Sequence, residues 1–476
     1  MKVLFVSWEL APFFKLGGLG DISKSLPKAL SSIGVDIRVI VPFYKVFKFF
    51  GQRKKKVNEF FLDYDGKKNR IEIYQISFLD EDIPVYLLKN ADYLSIPFDD
   101  TFPFFNLAIT KIIEKDLLKW TPEIIHCNDH HTGLIPFLIK HNGLPFKTLF
   151  TIHNLIFQGQ QLVDKIEKMG IDSKKCRVLR WEIKKRQINF LTEAIIHTDL
   201  INTVSPTYAK EILTEEYGAG LDEILNSKKD KIYGILNGID YDFGSPLKDK
   251  NIIYHYKADS QTTDNYPQKI YSVIEGKKLN KLYLQEKLGL SVNEKIPLFG
   301  FIGRFDAKQK GLDIMHKMLR RLNFNKYQFV FLGHGDENWE TRYFWFSSFY
   351  PKSVYCRFEF NEKLASQIYA AADFLLIPSK FEPCGLIQMI AMRYGTLPIA
   401  RATGGLKDSI EDGVDGFLFD DYSSSDLERK LKFAIKIWRE DKKRYHQMVK
   451  VAMNKDFSWD KSAKEYLSLY QKLLEQ

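Results

Sequence analysis

The stretch Leu298-Phe-Gly-Phe-Ile302, continuing as Gly303-Arg304-Phe-Asp306 and then Gln309-Lys310-Gly311, decides how this chain folds. Five residues without a polar side chain are too few for a helix and suit a strand buried on both faces. Polar residues gather directly after it, and Gly311 precedes a helical pattern. Strand, polar turn and helix form the unit of a parallel sheet covered by helices. The unit recurs along the chain. Upstream lie Val3–Ser7, Val35–Val41, Ile71–Phe78, Val85–Leu88, Ile124–Cys127, Thr148–Ile152, Leu200–Val204 and Ile232–Ile235. Downstream lie Phe329–Leu332, Val354–Phe358, Phe374–Ile377 and Leu397–Ala400. Helical patterns such as Ile22–Ile33, Leu107–Trp120, His131–His141, Leu364–Ala372 and Leu386–Tyr394 intervene. The predicted class is α/β, with two doubly wound parallel-sheet (Rossmann-like) domains facing across a cleft. The polar, lysine-rich stretch Tyr241–Asn293 is the least regular, so the domains are expected at 1–241 and 242–455. A closing helix, 456–476, carries Tyr466, Leu469, Tyr470, Leu473 and Leu474 at helical spacing.

Composition narrows the class. Of 476 residues, 45% are hydrophobic and 27% charged, an ordinary globular balance. No run approaches the ~20 apolar residues of a membrane span, and the first nine residues read as a buried strand rather than a leader. No membrane partner is expected. Four cysteines, Cys127, Cys176, Cys356 and Cys384, form no CxxC pair, which favours a reducing cytoplasm over a disulfide framework. The net charge of +10 invites a nucleic-acid reading, but 14 Lys and Arg against 6 Asp and Glu sit in residues 1–70. That surplus comes largely from Arg53-Lys-Lys-Lys56 and Lys67-Lys68-Arg70, read as a solvated loop, with contact to an anionic partner as the alternative. No helix-turn-helix, RNP or zinc-finger signature accompanies it, and no nucleic acid is expected.

Ligands of doubly wound sheets bind beyond the carboxyl ends of strands, and the motifs cluster there. Lys15-Leu-Gly-Gly-Leu-Gly-Asp21 is neither GxGxxG nor a Walker A loop. Gly17 and Gly18 still let backbone N–H groups approach an anion at a helix start, with Lys15 adding charge and Asp21 able to cap. Ile124-Ile-His-Cys-Asn-Asp-His-His131 raises a metal site at His126, His130 and His131, but the spacing fits no zinc signature and no metal is expected. His153 and Asn154, after Phe150-Thr-Ile152, read as polar groups lining a cleft. Arg304 and Lys310, two permanent cations beside a helix start, suit a diphosphate. Phe381-Glu382-Pro-Cys-Gly385 and Thr403-Gly-Gly-Leu-Lys-Asp408 follow later strands. Asp-x-Asp strings at Asp63–Asp65, Asp80–Asp82 and Asp240–Asp242 could suggest a metal-dependent transferase, but they read as chance.

These motifs, with Asn237-Gly-Ile-Asp240, Ala391-Met-Arg-Tyr-Gly395, Gly276-Lys-Lys-Leu-Asn-Lys281 and Asp456-Phe-Ser-Trp-Asp-Lys461, stand in the order found in bacterial glycogen synthases and plant starch synthases, which the chain resembles over nearly its whole length. The resemblance implies a GT-B fold and retaining transfer of glucose from ADP-glucose, or UDP-glucose, to the non-reducing end of an α-1,4-glucan, with no cofactor. It implies catalytic roles for His153, Arg304, Lys310 and Glu382. It implies substrate binding by Lys15, Gly17, Gly18, Asp21, Asp129, Asn154, Asn237, Cys384, Gly385, Thr403, Gly404 and Gly405. It further implies that Lys15 joins the donor on closure and that the last helix crosses back to the first domain. The chain departs from the family pattern at Asn128-Asp-His-His131, Asp100-Thr-Phe-Pro-Phe-Phe-Asn106 and Gly244-Ser245, all bearing on acceptor contacts and donor choice. Alternatives are another acceptor, such as glucose 1-phosphate, or a non-catalytic glucan- or nucleotide-binding scaffold. Retention of Arg304, Lys310 and Glu382 counts against the scaffold.

Overall fold

The computed structural model describes the chain apart from residues 50, 79–80, 175, 177–185, 242–243, 259–268 and 307. Two of the Asp-x-Asp strings therefore lie partly outside the described residues, at Asp80 and Asp242. The described chain divides into two compact units, Met1–Asn237 with Trp459–Gln476, and Gly238–Ser458.

Nine strands form one sheet in the first unit: β1 (Lys2–Val6), β2 (Asp36–Pro42), β3 (Lys55–Tyr64), β4 (Lys67–Phe78), β5 (Glu81–Lys89), β6 (Ile124–Asn128), β7 (Lys147–Ile152), β8 (Leu200–Thr203) and β9 (Ile232–Gly234). Their order is β9-β8-β7-β6-β1-β2-β5-β4-β3. Neighbours from β9 to β5 run parallel. Along β1, Leu4 and Val6 enter one core while Val3 and Phe5 enter the other. Successive side chains leave a strand on opposite faces, so a strand covered on both sides must be apolar throughout.

The far edge differs from the expected all-parallel sheet. There β4 pairs antiparallel with both β5 and β3, and the basic segment expected to be a loop forms the β3–β4 hairpin. Asp65 and Gly66 both take positive φ, 55° and 68°, the backbone of a two-residue hairpin turn. The lysines are cross-strand partners. Lys56 reaches Glu59 and Glu72, Arg70 reaches Glu59 at 2.6 Å, and Lys89 reaches Glu72 at 3.0 Å. Hydrogen bonds from Lys56 and Lys89 hold the Glu72 carboxyl down to about 2. Charge on an exposed edge strand also deters pairing with another chain. The helix expected over Leu107–Trp120 runs instead over Thr101–Glu114, and the chain beyond it turns through positive φ at Asp116 and Lys119.

The C-terminal helix, Trp459–Leu474, belongs to the first unit. Tyr466, Leu469, Tyr470 and Leu473 share a core with Val3, Phe5, Leu149 and Leu200, whereas Leu474, expected on the apolar face, is exposed. Two phenols of this helix reach polar groups inside the sheet. Tyr470 Oη lies 2.7 Å from His126 Nδ1, and Tyr466 Oη accepts from Asn202 Nδ2 at 2.8 Å. Thr151 Oγ1, 2.8 Å from His126 Nε2, completes the pairing of that ring. His126 is thus a core residue, fully buried.

In the second unit six strands are all parallel: β10 (Leu298–Ile302), β11 (Gln328–Leu332), β12 (Val354–Arg357), β13 (Phe374–Ile377), β14 (Leu397–Arg401) and β15 (Phe417–Phe419), in the order β12-β11-β10-β13-β14-β15. Each sheet has a point where its strand order reverses, between β1 and β6 in one and between β10 and β13 in the other. Loops leaving the two strands there diverge to opposite faces and open a crevice at the carboxyl edge.

Removing the Tyr470 hydroxyl leaves a buried His126 nitrogen without its partner, at a cost of about 1–3 kcal/mol. We expect Tyr470→Phe to lower unfolding free energy by that amount in urea titration. An unchanged midpoint would show that the contact does not tie the helix to the sheet.

Candidate active site

At the reversal point of the second unit, β10 ends in Gly303-Arg304 and β13 runs on through Pro378 and Ser379 to Glu382. Lys310 Nζ lies 2.6 Å from Glu382 Oε2, with both side chains largely out of water. Ser379 Oγ donates to the same carboxylate oxygen at 2.9 Å. Gln309, buried, joins the two loops: its carbonyl accepts from the Lys380 N–H at 2.7 Å and its Oε1 from Arg304 Nη2 at 2.9 Å. The Arg304 side chain remains more than half exposed, 56%, so its guanidinium can still meet a ligand.

Two glycines permit this packing. Gly311 takes φ +67°, and a Cβ there would fall 1.9 Å from the Pro378 carbonyl oxygen. Gly404 takes φ +44°, and its Cβ would fall 2.0 Å from the Glu382 carbonyl oxygen. That carbonyl also accepts the Gly405 N–H at 3.0 Å. Any side chain at either position would push the cationic loop or the Glu382 loop away. Gln388, not singled out from the sequence, supports the same loop. Its Nε2 donates to the carbonyls of Cys384 and Gly385, at 3.1 and 2.7 Å, and to Ser409 Oγ at 3.0 Å. The structure therefore gathers Arg304, Lys310, Glu382, Cys384, Gly385, Gly404 and Gly405 into one bonded set, with Thr403 preceding the short helix Gly404–Ser409.

The first unit offers a different chemistry. Its glycine loop is organised by Glu9, which sequence reasoning missed: Oε2 accepts the N–H groups of Leu16 at 2.6 Å and Gly17 at 3.0 Å. Burial raises the Glu9 carboxyl above its usual value. The Gly17 N–H is thus directed at a carboxylate of the protein itself. Lys15 Nζ meets Asp21 Oδ2 at 2.5 Å, both side chains well exposed. Glu9 follows the first strand as one acidic residue without a motif, so its only sequence signal was an acid next to an apolar run.

Beyond β6 and β7, Asp129 takes φ +55° and its Oδ1 accepts the His153 N–H at 2.8 Å. Burial pushes the Asp129 carboxyl up to about 7. His153 Nε2 lies 2.9 Å from Asn128 Oδ1, while its Nδ1 has no partner among the described residues. Burial lowers the ring to about 3, so it is a neutral imidazole with one open hydrogen-bonding site. Asn154 Oδ1 caps the next turn through the Ile156 N–H at 3.2 Å. Asn237, at the end of this unit, is buried with its Oδ1 unpaired.

His130 and His131 lie in an aromatic cluster: His131 stacks on Trp8 at 4.3 Å and meets the His130 ring at a tilt, 3.7 Å between centroids. Burial lowers His130 to about 4 and holds His131 well below the usual imidazole value. Among the described residues no three His, Cys, Asp or Glu side chains are disposed to hold a metal. The divergent segment at Asp100 is structural. Asp100 pairs with Lys165 and Lys168, each at 3.1 Å, and Asn106 Nδ2 supports the His131 carbonyl at 2.7 Å.

Comparison with known proteins gives the same picture over the whole chain. Residues 2–227 match the starch synthase catalytic domain and residues 285–455 the glycosyl transferases group 1 domain. A glycogen synthase of Kosmotoga olearia is 40% identical across all of this chain and 98% of its own. One from Streptococcus agalactiae is 36% identical over 99% of this chain and all of its own. The catalytic domain of starch synthase IV from Arabidopsis thaliana, solved with ADP and acarbose, superposes with a TM-score of 0.88 at 31% identity, covering 100% of this chain and 99% of that one. A sucrose-phosphate synthase from Thermosynechococcus elongatus shares the fold, with a TM-score of 0.60 at 17% identity over 99% of each chain.

The buried neutral histidines set the pH response. Burial places His126 and His153 at about 3 and His130 at about 4, so folding sheds protons between those values and 6.5. Stability therefore falls as the pH drops through that window. Asp129, raised to about 7, works the other way: it favours folding at low pH and loses that contribution as the pH rises through 7. The histidines outnumber it, so the urea midpoint should decline steadily from pH 6.5 to 4.5. A flat or rising midpoint would mean that they are protonated in the folded protein.

Proposed function

The chain belongs to the glycogen and starch synthase family of glycosyltransferases, and from that premise we propose that it moves glucose from ADP-glucose to the non-reducing end of an α-1,4-glucan with retention of configuration. The observation that carries this reading is the buried Lys310–Glu382 pair beside the exposed guanidinium of Arg304.

Breaking the glucosyl–phosphate bond leaves negative charge on the departing diphosphate and positive character on the sugar. Both must meet groups already in place, because reorganising water around them is costly. A diphosphate diester carries two negative charges, which Arg304 and Lys310 match, Arg304 with a planar fork and Lys310 as a point charge. Held at 2.6 Å by Glu382, Lys310 need not be oriented during the reaction. Glu382 balances that cation, and with donor bound its carboxylate is assigned to the glucosyl hydroxyls. His153, neutral and with Nδ1 open, is assigned to steadying the sugar through its ring or its carbonyl. Asp129 fixes it through the backbone. Lys15, Gly18, Asp21, Asn154, Asn237 and the Thr403-Gly-Gly405 turn are assigned to substrate on the strength of the family motifs.

ADP is favoured over UDP because the starch synthase domain that superposes on this chain's full length with a TM-score of 0.88 was solved with ADP. Among the described residues no disulfide joins any of the four cysteines, which suits a reducing compartment. No described helix is long and apolar enough to cross a membrane.

Incubation with glycogen and either ADP-glucose or UDP-glucose tests the reading through nucleoside diphosphate release. We expect ADP-glucose to be the faster donor. Faster release from UDP-glucose would overturn the donor assignment, and no release from either would overturn the reaction. Replacing Glu382 by Gln removes charge with little change in volume, so turnover should drop ~10²-fold or more in a protein that still melts cooperatively. A near-normal rate would remove Glu382 from the mechanism. Because Arg304 and Lys310 supply the countercharge, excess EDTA should leave the rate unchanged. Loss of activity restored by Mg²⁺ would contradict that assignment.

A further inference from the structure

A cavity lies in the same unit at the other end of its sheet from these loops. Asp373 immediately precedes β13, whereas Glu382 follows that strand, and Asp373 Oδ2 accepts the N–H of Leu298 at the start of β10 at 2.8 Å. Four strand residues rise about 13 Å, so the two sites face opposite edges. The cavity encloses about 540 Å³, within the range of small-molecule sites.

Its walls present five cations, the buried Lys281 and the exposed Lys278, Lys295, Arg439 and Lys442, against two carboxylates, Asp373 and Glu294, while burial lowers a sixth basic group, Lys277, to about 7. Both carboxylates are already engaged: Asp373 with Lys281 at 2.6 Å, and Glu294 with Lys278. Lys277 is held in the buried floor by Thr396 Oγ1 at 2.7 Å and by three backbone carbonyls. Among the described residues, Lys295, Arg439 and Lys442 have no carboxylate within ion-pair reach. The Lys442 ammonium lies 3.6 Å from the centre of the Trp438 ring, whose indole N–H is fixed on Asp373 Oδ1 at 3.0 Å.

We propose that this cavity is an anion site for a small phosphorylated molecule, separate from the catalytic loops. Like charges gathered in a concavity with an aromatic and aliphatic floor focus a positive potential, and a phosphate group is the compact polyanion that such a cluster fits. The basic groups of the cavity repel one another's protons, which a bound anion would offset. Burial, with Lys281 and Arg439 nearby, lowers the proton affinity of Lys442, although Asp373 and Glu294 oppose the effect. Burial, Lys442 and Lys450 do the same at His446 on the cavity wall. A bound anion reverses these repulsions and draws protons onto the cluster.

Titration calorimetry on the full chain tests the proposal, with inorganic pyrophosphate in one arm and ribose 5-phosphate in the other, and ADP saturating to occupy the donor site. We expect at least one probe to bind with 1:1 stoichiometry, with an enthalpy that changes between buffers of different ionisation enthalpy because protons are taken up. Lys295→Ala combined with Lys442→Ala should weaken binding at least tenfold while leaving basal glucosyl transfer and the melting temperature unchanged. If the double variant melts early, Lys295→Ala alone, an exposed position, should still weaken binding severalfold. No heat from either probe at millimolar concentration, or equal affinity in the variants, would overturn the site. Buffer-independent enthalpy would overturn the charge-relief account of it.

Discussion

A lysine and a carboxylate taken out of water together, Lys310 and Glu382, impose the geometry of the second unit's carboxyl edge. Removing two charges from water is expensive, and an apolar pair of the same volume would often stabilise a fold as well or better. Its presence is therefore better understood through chemistry than through stability. The surrounding backbone is built to hold it. Gly311 lets the cationic loop rest on Pro378, and Gly404 lets a second loop rest on the Glu382 carbonyl. Gln309 and Gln388 connect the loops through buried amides. Each contact restricts where the pair can lie, and the pair in turn leaves Arg304 as the exposed cation beside it.

The strand ends of the first unit gather polar groups that burial holds uncharged. Where β1, β6 and β7 end, burial keeps His130, His131 and His153 neutral and the Asp129 and Glu9 carboxyls less acidic than usual. A sugar presents hydroxyls, which ask for donors and acceptors in fixed places rather than for a field. Open positions at His153 Nδ1 and Asn237 Oδ1 are of that kind. In one unit charge is concentrated, and in the other it is suppressed. That division suits a reaction whose leaving group is an anion and whose transferred group is a sugar.

Much of this was readable in the sequence where one physical rule dominated. Strands buried on both faces must be apolar, so β1, β10 and β13 stand out, and the polar residues at their ends mark the crevice. Arg304 and Lys310 stood out as two cations close after an apolar strand, and Glu382 through the motif shared with the family. The edge hairpin was not read, because Lys55–Tyr64 is exposed on most of its length and lacks a continuous apolar signal; the Asp65-Gly66 turn was the available clue. Glu9 and Gln388 escaped for another reason. Their roles are hydrogen bonds to backbone groups brought near only by folding, and such bonds leave no spacing in the chain. The histidines were ambiguous for the same reason. The Tyr470 hydroxyl that explains His126 lies 344 residues away.

We propose that Lys310 and Glu382 act as one device on the donor, the lysine on the departing diphosphate and the carboxylate on the glucosyl group. A double-mutant cycle on kcat/KM, with Lys310→Met, Glu382→Gln and the two combined, measures that coupling directly. Residues working as a unit lose most of their effect at the first substitution, so the double variant should be little slower than the slower single variant. Losses that multiply, with the double variant slower by the product of the two single effects, would mean that the residues act independently and that the ion pair is only structural.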